Sequence, residues 1–225
     1  MVKVNANKEF RRLTSPRAAG IAGILFGLLF AASLVLIRTA IPDKLSAETD
    51  WVEQGATRIS IALQLVPFAG IAFLWFIGVV RDQLGNFEDK LFSTVFLGSS
   101  LLFLAMVFVS IAIAGGILTS YRLDTGGVVG NNIIYFGRAL MIQISNIYAI
   151  RMAGVCMISL GTIWLRTGLM PRWLTIITYL LALILLLVVN HSLWVTLIFP
   201  AWVFMISIVI LVRNFQKTNA RLEKA

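Results

Sequence analysis

The feature that most limits what this chain can become is a set of long apolar runs with almost no charge inside them. Six such runs, at about 18–37, 58–80, 91–118, 139–165, 173–189 and 193–212, are separated by short polar segments. Each is close to the ~20 residues that a helix needs to cross a hydrocarbon core of about 30 Å. Backbone N–H and C=O groups meet no water at that depth, so such runs take a form that satisfies its own backbone. The sequence therefore predicts an all-α polytopic membrane protein with six transmembrane helices. Composition agrees: 59% of the 225 residues are hydrophobic and 13% are charged, against about 45–50% and 25% in soluble domains. The expected division is a basic N-terminal segment (1–17), one membrane domain (18–213) and a basic tail (214–225). The first apolar run is longer than a signal-peptide core and is expected to be retained.

Charge predicts the orientation. Lys and Arg number thirteen in the N-terminus, the second and fourth loops and the tail. The opposite side has five: Arg38, Lys44, Arg58, Arg122 and Arg138. That asymmetry puts both termini in the cytoplasm. It also accounts for the net charge of +9 without nucleic acid, because the cations flank apolar runs instead of forming a patch on soluble elements.

Arg151 is the exception. It lies inside the fourth run, 13 residues from Arg138 and 15 from Arg166, or roughly 20 Å from each along a helix. A midplane Arg costs about 2.5–3.5 kcal/mol on insertion scales, so the folded protein is expected to offset it. On a helical wheel Gln143, Arg151, Gly154 and Gly161 share a face, which is expected to point away from lipid. No Asp or Glu lies in any run. Three readings of Arg151 stay open. It donates to carbonyls and amides of neighbouring helices; it meets an anion; or an acid reaches in from a loop or a partner, with Asp50 or Glu53 as the intrachain candidates. The residues expected along an ion or ligand pathway are Arg151, Gln143, Asn146, Gln64, Ser99 and Ser100.

Other signals are weaker. Ala19, Gly23, Gly27 and Ala31 recur every four residues and are expected at a close helix contact, within the bundle or against a second subunit. Pro67 is expected to kink the second run beside Gln64. Ser46–Glu53 is expected to start a short interfacial helix. Residues 119–138, rich in Gly and Asn, read as the longest loop, with room for a lid or a pore mouth. His191, in the turn Asn190-His191-Ser192, is a candidate pH sensor at a mouth. Cys156 is the single cysteine and reads as a packing residue. One His, one Cys and no acid at membrane depth predict no metal site, no cofactor and no catalytic constellation.

The chain resembles six-span bacterial integral membrane proteins of the domain-of-unknown-function type. The likeness is carried by Arg81-Asp82-x-Leu84-Gly85 with Glu88-Asp89, Phe96-Leu97-Gly98-Ser99, Leu165-Arg166-Thr167-Gly168, Pro171-Arg172-Trp173-Leu174 and Phe199-Pro200-x-Trp202. It implies a multi-pass protein of the bacterial plasma membrane, and it brings no activity or site residue with it. The function expected from the residues is a channel or transporter for small ions, more readily anions, built on Arg151. The alternative is a non-catalytic accessory or substrate- or lipid-binding subunit that works with a partner or as a homo-oligomer.

Overall fold

The computed structural model describes the backbone of residues 16–41, 50–84, 90–123, 131–187 and 194–222. Those residues form helices and tight turns, with no strand among them. The helices are α1 (Pro16–Ala40), α2 (Asp50–Leu84), α3 (Lys90–Leu123), α4 (Asn131–Gln143), α5 (Ile150–Thr167), α6 (Arg172–Leu187) and α7 (Ile198–Leu222). A π-helical segment, Ile144–Ala149, joins α4 to α5 without a break, and a 3-10 turn, Val195–Leu197, leads into α7. The described residues thus fold into six rods. Five are long and apolar enough to cross a membrane; α6, with 16 residues, is shorter. The many apolar side chains on the outside, such as Ile21, Phe68, Trp75, Leu102 and Leu180, suit contact with lipid.

The rods outrun the apolar runs. Residues 131–138, expected in a loop, are helix. Asn131 and Asn132 open it, and Ile134 and Arg138 are already buried. The stretch from Asp50, expected to be a separate interfacial helix, is the first part of α2. Arg38, expected in the first loop, lies in the last turn of α1. In each case tertiary packing carries the helix past the charge that seemed to end it.

Packing divides into two cores. Call the end that holds Pro16 and Leu222 the near end. Its core draws on all six rods and is rich in rings: Phe26, Phe73, Phe76, Phe103, Phe199, Trp164 and Trp202 are all buried. The Phe26 and Phe73 centroids lie 4.5 Å apart and those of Phe103 and Phe199 4.6 Å apart. The Trp202 indole N–H donates to Thr178 Oγ1 at 2.9 Å, so α6 closes the cluster with a hydroxyl. Helices in lipid gain little from hiding apolar surface, and close van der Waals contact and hydrogen bonds hold them instead.

Glycines make that contact. A Cβ on Gly27 would lie 2.9 Å from Phe204 Cβ and 3.1 Å from the Pro200 carbonyl oxygen, and one on Gly20 would sit 2.4 Å from Leu211 Cγ. The small residues of α1 are therefore covered by α7 of the same chain. Gly23 also faces α7, at Ser207, while Ala19 is buried and Ala31 half-buried. Of the two contacts expected for this face, Gly23 and Gly27 make the one within the bundle.

The far core is built by α1 to α4 alone. Ile37, Ala40, Ile41, Val52, Ile59, Ala62, Ala114, Ile117, Leu118, Ile134 and Met141 form it. α6 and α7 add nothing to it among the described residues.

Candidate functional site

Between the two cores lies a cavity lined by all six rods. The space open to the centre of a water-sized sphere is about 50 Å³, several times the roughly 10–15 Å³ that one water occupies on that measure. Its floor is the aromatic cluster, through Phe30, Phe103 and Phe199. Most of its wall is aliphatic. Its polar atoms gather at the far end, around Arg38 of α1.

Arg38 is half-buried there. Its Nη2 donates to Asn146 Oδ1 at 2.9 Å and to Thr196 Oγ1 at 3.3 Å. One guanidinium nitrogen thus ties α1 to the π segment and to the turn before α7. Ser145 Oγ also donates to Asn146 Oδ1, at 3.2 Å. Asn146 Nδ2 is buried with no acceptor among the described residues. A buried amide donor without an acceptor is costly, and a ligand oxygen would relieve it.

The local backbone explains why the space exists. A π segment shifts the hydrogen-bond register from i→i+4 to i→i+5, an arrangement that recurs at functional sites. Here it presents Ser145 and Ala149 to the cavity and Asn146 to Arg38. At the start of this shift Ser110 Oγ donates to the Met141 carbonyl at 3.0 Å. Opposite, the rod that ends in α7 starts with a 3-10 turn, which brings Thr196 inward.

Arg38 also borders a second space. An open vestibule at the far end is lined by Arg38 to Ile41, Trp51, Gln54, Gly55 and Arg58. Arg58 Nη1 donates to the Thr39 carbonyl, which holds its guanidinium against the end of α1. Gly55 permits the close approach of α2: a Cβ there would lie 2.9 Å from Ala40 Cβ. Arg38 therefore stands in the wall between an apolar chamber and an open, more polar one.

Of the pathway residues named from sequence, Asn146 is tied to the cavity through its bond to Arg38; the others fall elsewhere. Arg151 is half-buried and does not line the cavity, although its neighbours Ile150 and Ala153 do. It makes no hydrogen bond or ion pair among the described residues. Its glycine-bearing face meets α6: a Cβ on Gly161 would touch Thr178 and Tyr179, and one on Gly154 would touch Leu186. One turn before Gly154, Arg151 is level with the last described turn of α6. The spacing that put it at the midplane used Arg138 as a loop residue, and Arg138 is buried in α4. Gln64 and Gln143 are exposed, and so is Pro67. Ser99 and Ser100 are buried and donate to carbonyls of their own helix, at Val95 and Phe96. The Cys156 Sγ lies 3.1 Å from Ser100 Oγ and joins α5 to α3. Asp50 opens α2, and Glu53 turns to α3, with Tyr121 OH donating to it at 3.4 Å. His191 lies outside the described residues.

Arg38 escaped sequence reasoning because a charge at the edge of an apolar run reads as its end. The signal was present in Thr39-Ala40-Ile41, which continues the apolar character of α1 past the charge. Thr196 had no such signal.

Comparison with protein families, with curated proteins and with solved structures returns no match.

Proposed function

We propose that this is a six-span membrane protein, with both termini in the cytoplasm, that binds a small amphiphile with an anionic head. The reading rests on one observation: a guanidinium, fixed by an amide and a hydroxyl, stands at one end of an otherwise apolar cavity lined by all six rods. Apolar pockets with a few convergent polar groups are the usual form of small-molecule sites. The head would meet Arg38 and the Asn146 amide, and the chain would lie on Phe30, Phe103 and Phe199. The distribution of Lys and Arg supports the orientation, and with it the cavity opens toward the non-cytoplasmic side. Binding of this kind suits a capture or sensing subunit that hands its ligand to a partner.

The test is thermal stabilisation of the protein in zwitterionic nanodiscs. Dodecanoate at about 100 times its Kd should stabilise by about 2.7 kcal/mol, dodecyltrimethylammonium should not, and Arg38→Gln should abolish the effect. Equal stabilisation by the cation, or none by the anion, would sink the reading.

A second reading is conduction of a small anion past Arg38 and Arg151. The ring of six rods around one cavity favours it, and the aromatic floor opposes it. Chloride flux in liposomes that is lost in both Arg38→Gln and Arg151→Gln would select it.

A further inference from the structure

The rod that runs from Asn131 to Thr167 changes phase part-way along. On α4 the buried positions are Ile134, Arg138 and Met141, three or four residues apart, as one face of an α-helix requires. Carried on through an unbroken helix, that face would run through Tyr148 and Met152. Tyr148 is exposed and Met152 is half-buried. On α5 the buried face is wide, and its centre runs through Ala153, Met157, Leu160 and Trp164. That line begins one residue later than the α4 face implies, a rotation of roughly 100°. The change of phase falls across Ile144–Ala149, where the helix is π.

A single π turn holds one residue more than the α turn it replaces, because its hydrogen bonds span five residues instead of four. One extra residue is the correction that the two faces need. With it, α4 serves the far core and α5 the near core from one continuous rod. The wider turn also advances by a smaller angle per residue, which swings Asn146 toward the buried face. There its Oδ1 accepts from Arg38 Nη2 at 2.9 Å and from Ser145 Oγ at 3.2 Å.

We propose that Ile144–Ala149 carries one inserted residue, and that Asn146, turned onto Arg38 by the insertion, is the positioning residue for that guanidinium. Asn146 fixes where the charge stands through its carbonyl oxygen. Its consequence for ligand binding rests on the amphiphile reading; the insertion and its hold on Arg38 do not.

The experiment compares two single-residue deletions in the full chain, read first without ligand as unfolding midpoints in mild detergent. Deleting Ile147 removes the extra residue and keeps both buried faces in phase, so the protein should fold with a midpoint close to that of wild type. Deleting Ile158, inside α5, turns Leu160 and Trp164 away from the face they share with Ala153 and Met157, and should leave no folded protein. Equal damage from the two deletions, or equal tolerance of them, overturns the insertion. Asn146→Ala tests the positioning. It should lower the midpoint of wild type, and adding it to Arg38→Met should lower the midpoint no further, because the two changes remove one shared bond. After deletion of Ile147 it should have no effect. Additive losses, or an equal loss with and without Ile147, overturn the positioning role. Dodecanoate binding in zwitterionic nanodiscs supplies the ligand arm. Asn146→Ala should weaken it about tenfold, the worth of one hydrogen bond to a charged group. Unchanged affinity in that variant overturns the link to the ligand. Failure of wild type to bind dodecanoate sinks the amphiphile reading alone, since the deletions and the coupling decide the insertion without ligand.

Discussion

The near and far halves of this bundle are assembled on different principles. The near half uses rings and glycines: six rods meet through stacked Phe and Trp side chains, and α1 and α7 approach until Gly27 has a carbonyl oxygen where a side chain would be. The far half uses aliphatic side chains and Ala from four rods, and its remaining polar groups are joined by Arg38, Arg58 and Tyr121. The cavity opens where one scheme gives way to the other. Dispersion contacts that depend on fit tolerate little change, whereas polar contacts beside water can be rearranged. Stability should therefore be concentrated in the near half and ligand response in the far half.

That division can be broken by substitution. The largest effects should come from Gly27→Ala in the near half and from Gly55→Ala where α2 meets the end of α1, because each Cβ would press on a backbone oxygen and a Cβ that cannot swing aside. A loss of about 3 kcal/mol, the upper end of the usual overpacking cost, should appear as a lower unfolding midpoint in mild detergent. Gly137→Ala is a far-half change against side chains alone. It meets the Ile117 side chain at 3.0 Å and Ile113 Cγ2 at 3.8 Å, and should cost under about 1 kcal/mol. If Gly137→Ala costs as much as Gly27→Ala, the distinction between backbone contact and flexible side-chain contact is wrong.

Trp202→Phe keeps most of the ring packing but removes the bond to Thr178. It should cost about 1–2 kcal/mol by the same unfolding measurement. Arg38→Gln should cost about 1 kcal/mol in the ligand-free protein, since an amide replaces part of a small network, and should remove ligand stabilisation altogether. Arg151→Leu loses no described bond and a charge that is costly in lipid, so its unfolding midpoint should hold or rise. A fall would show that Arg151 has a structural partner. The smallest effect belongs to Gly78→Ala, where a Cβ meets nothing within 4 Å. It should stabilise by roughly 0.4–1 kcal/mol, because it restricts the unfolded chain in a helical position.

The helical class and the apolar rods were legible in sequence because lipid leaves the backbone so few choices. Boundaries were not. Asn131–Arg138 is polar enough to read as loop, and it is helical because Ile134 and Arg138 gain contacts in the bundle that no local window contains. The glycines of α1 announced a close contact but not its partner, since spacing along one helix does not identify what lies opposite. The emphasis on Arg151 came from counting distance between charges. That count cannot register that Arg138 is buried and Arg38 helical, so it missed the arginine that borders the cavity. Asn146 was noticed as an amide near Arg151, but its bond spans 108 positions to Arg38. The π segment has no mark in the residues that form it.

The length of α2 has a consequence for the surrounding lipid. At 35 residues it is about 52 Å long, well beyond a hydrocarbon core of about 30 Å. In a bilayer it would have to lean or carry its end turns into the headgroup region, each at fractions of a kcal/mol per Å of mismatch. Bilayer thickness would act on it as a torque, and its tilt should change between thin and thick membranes even with no ligand bound.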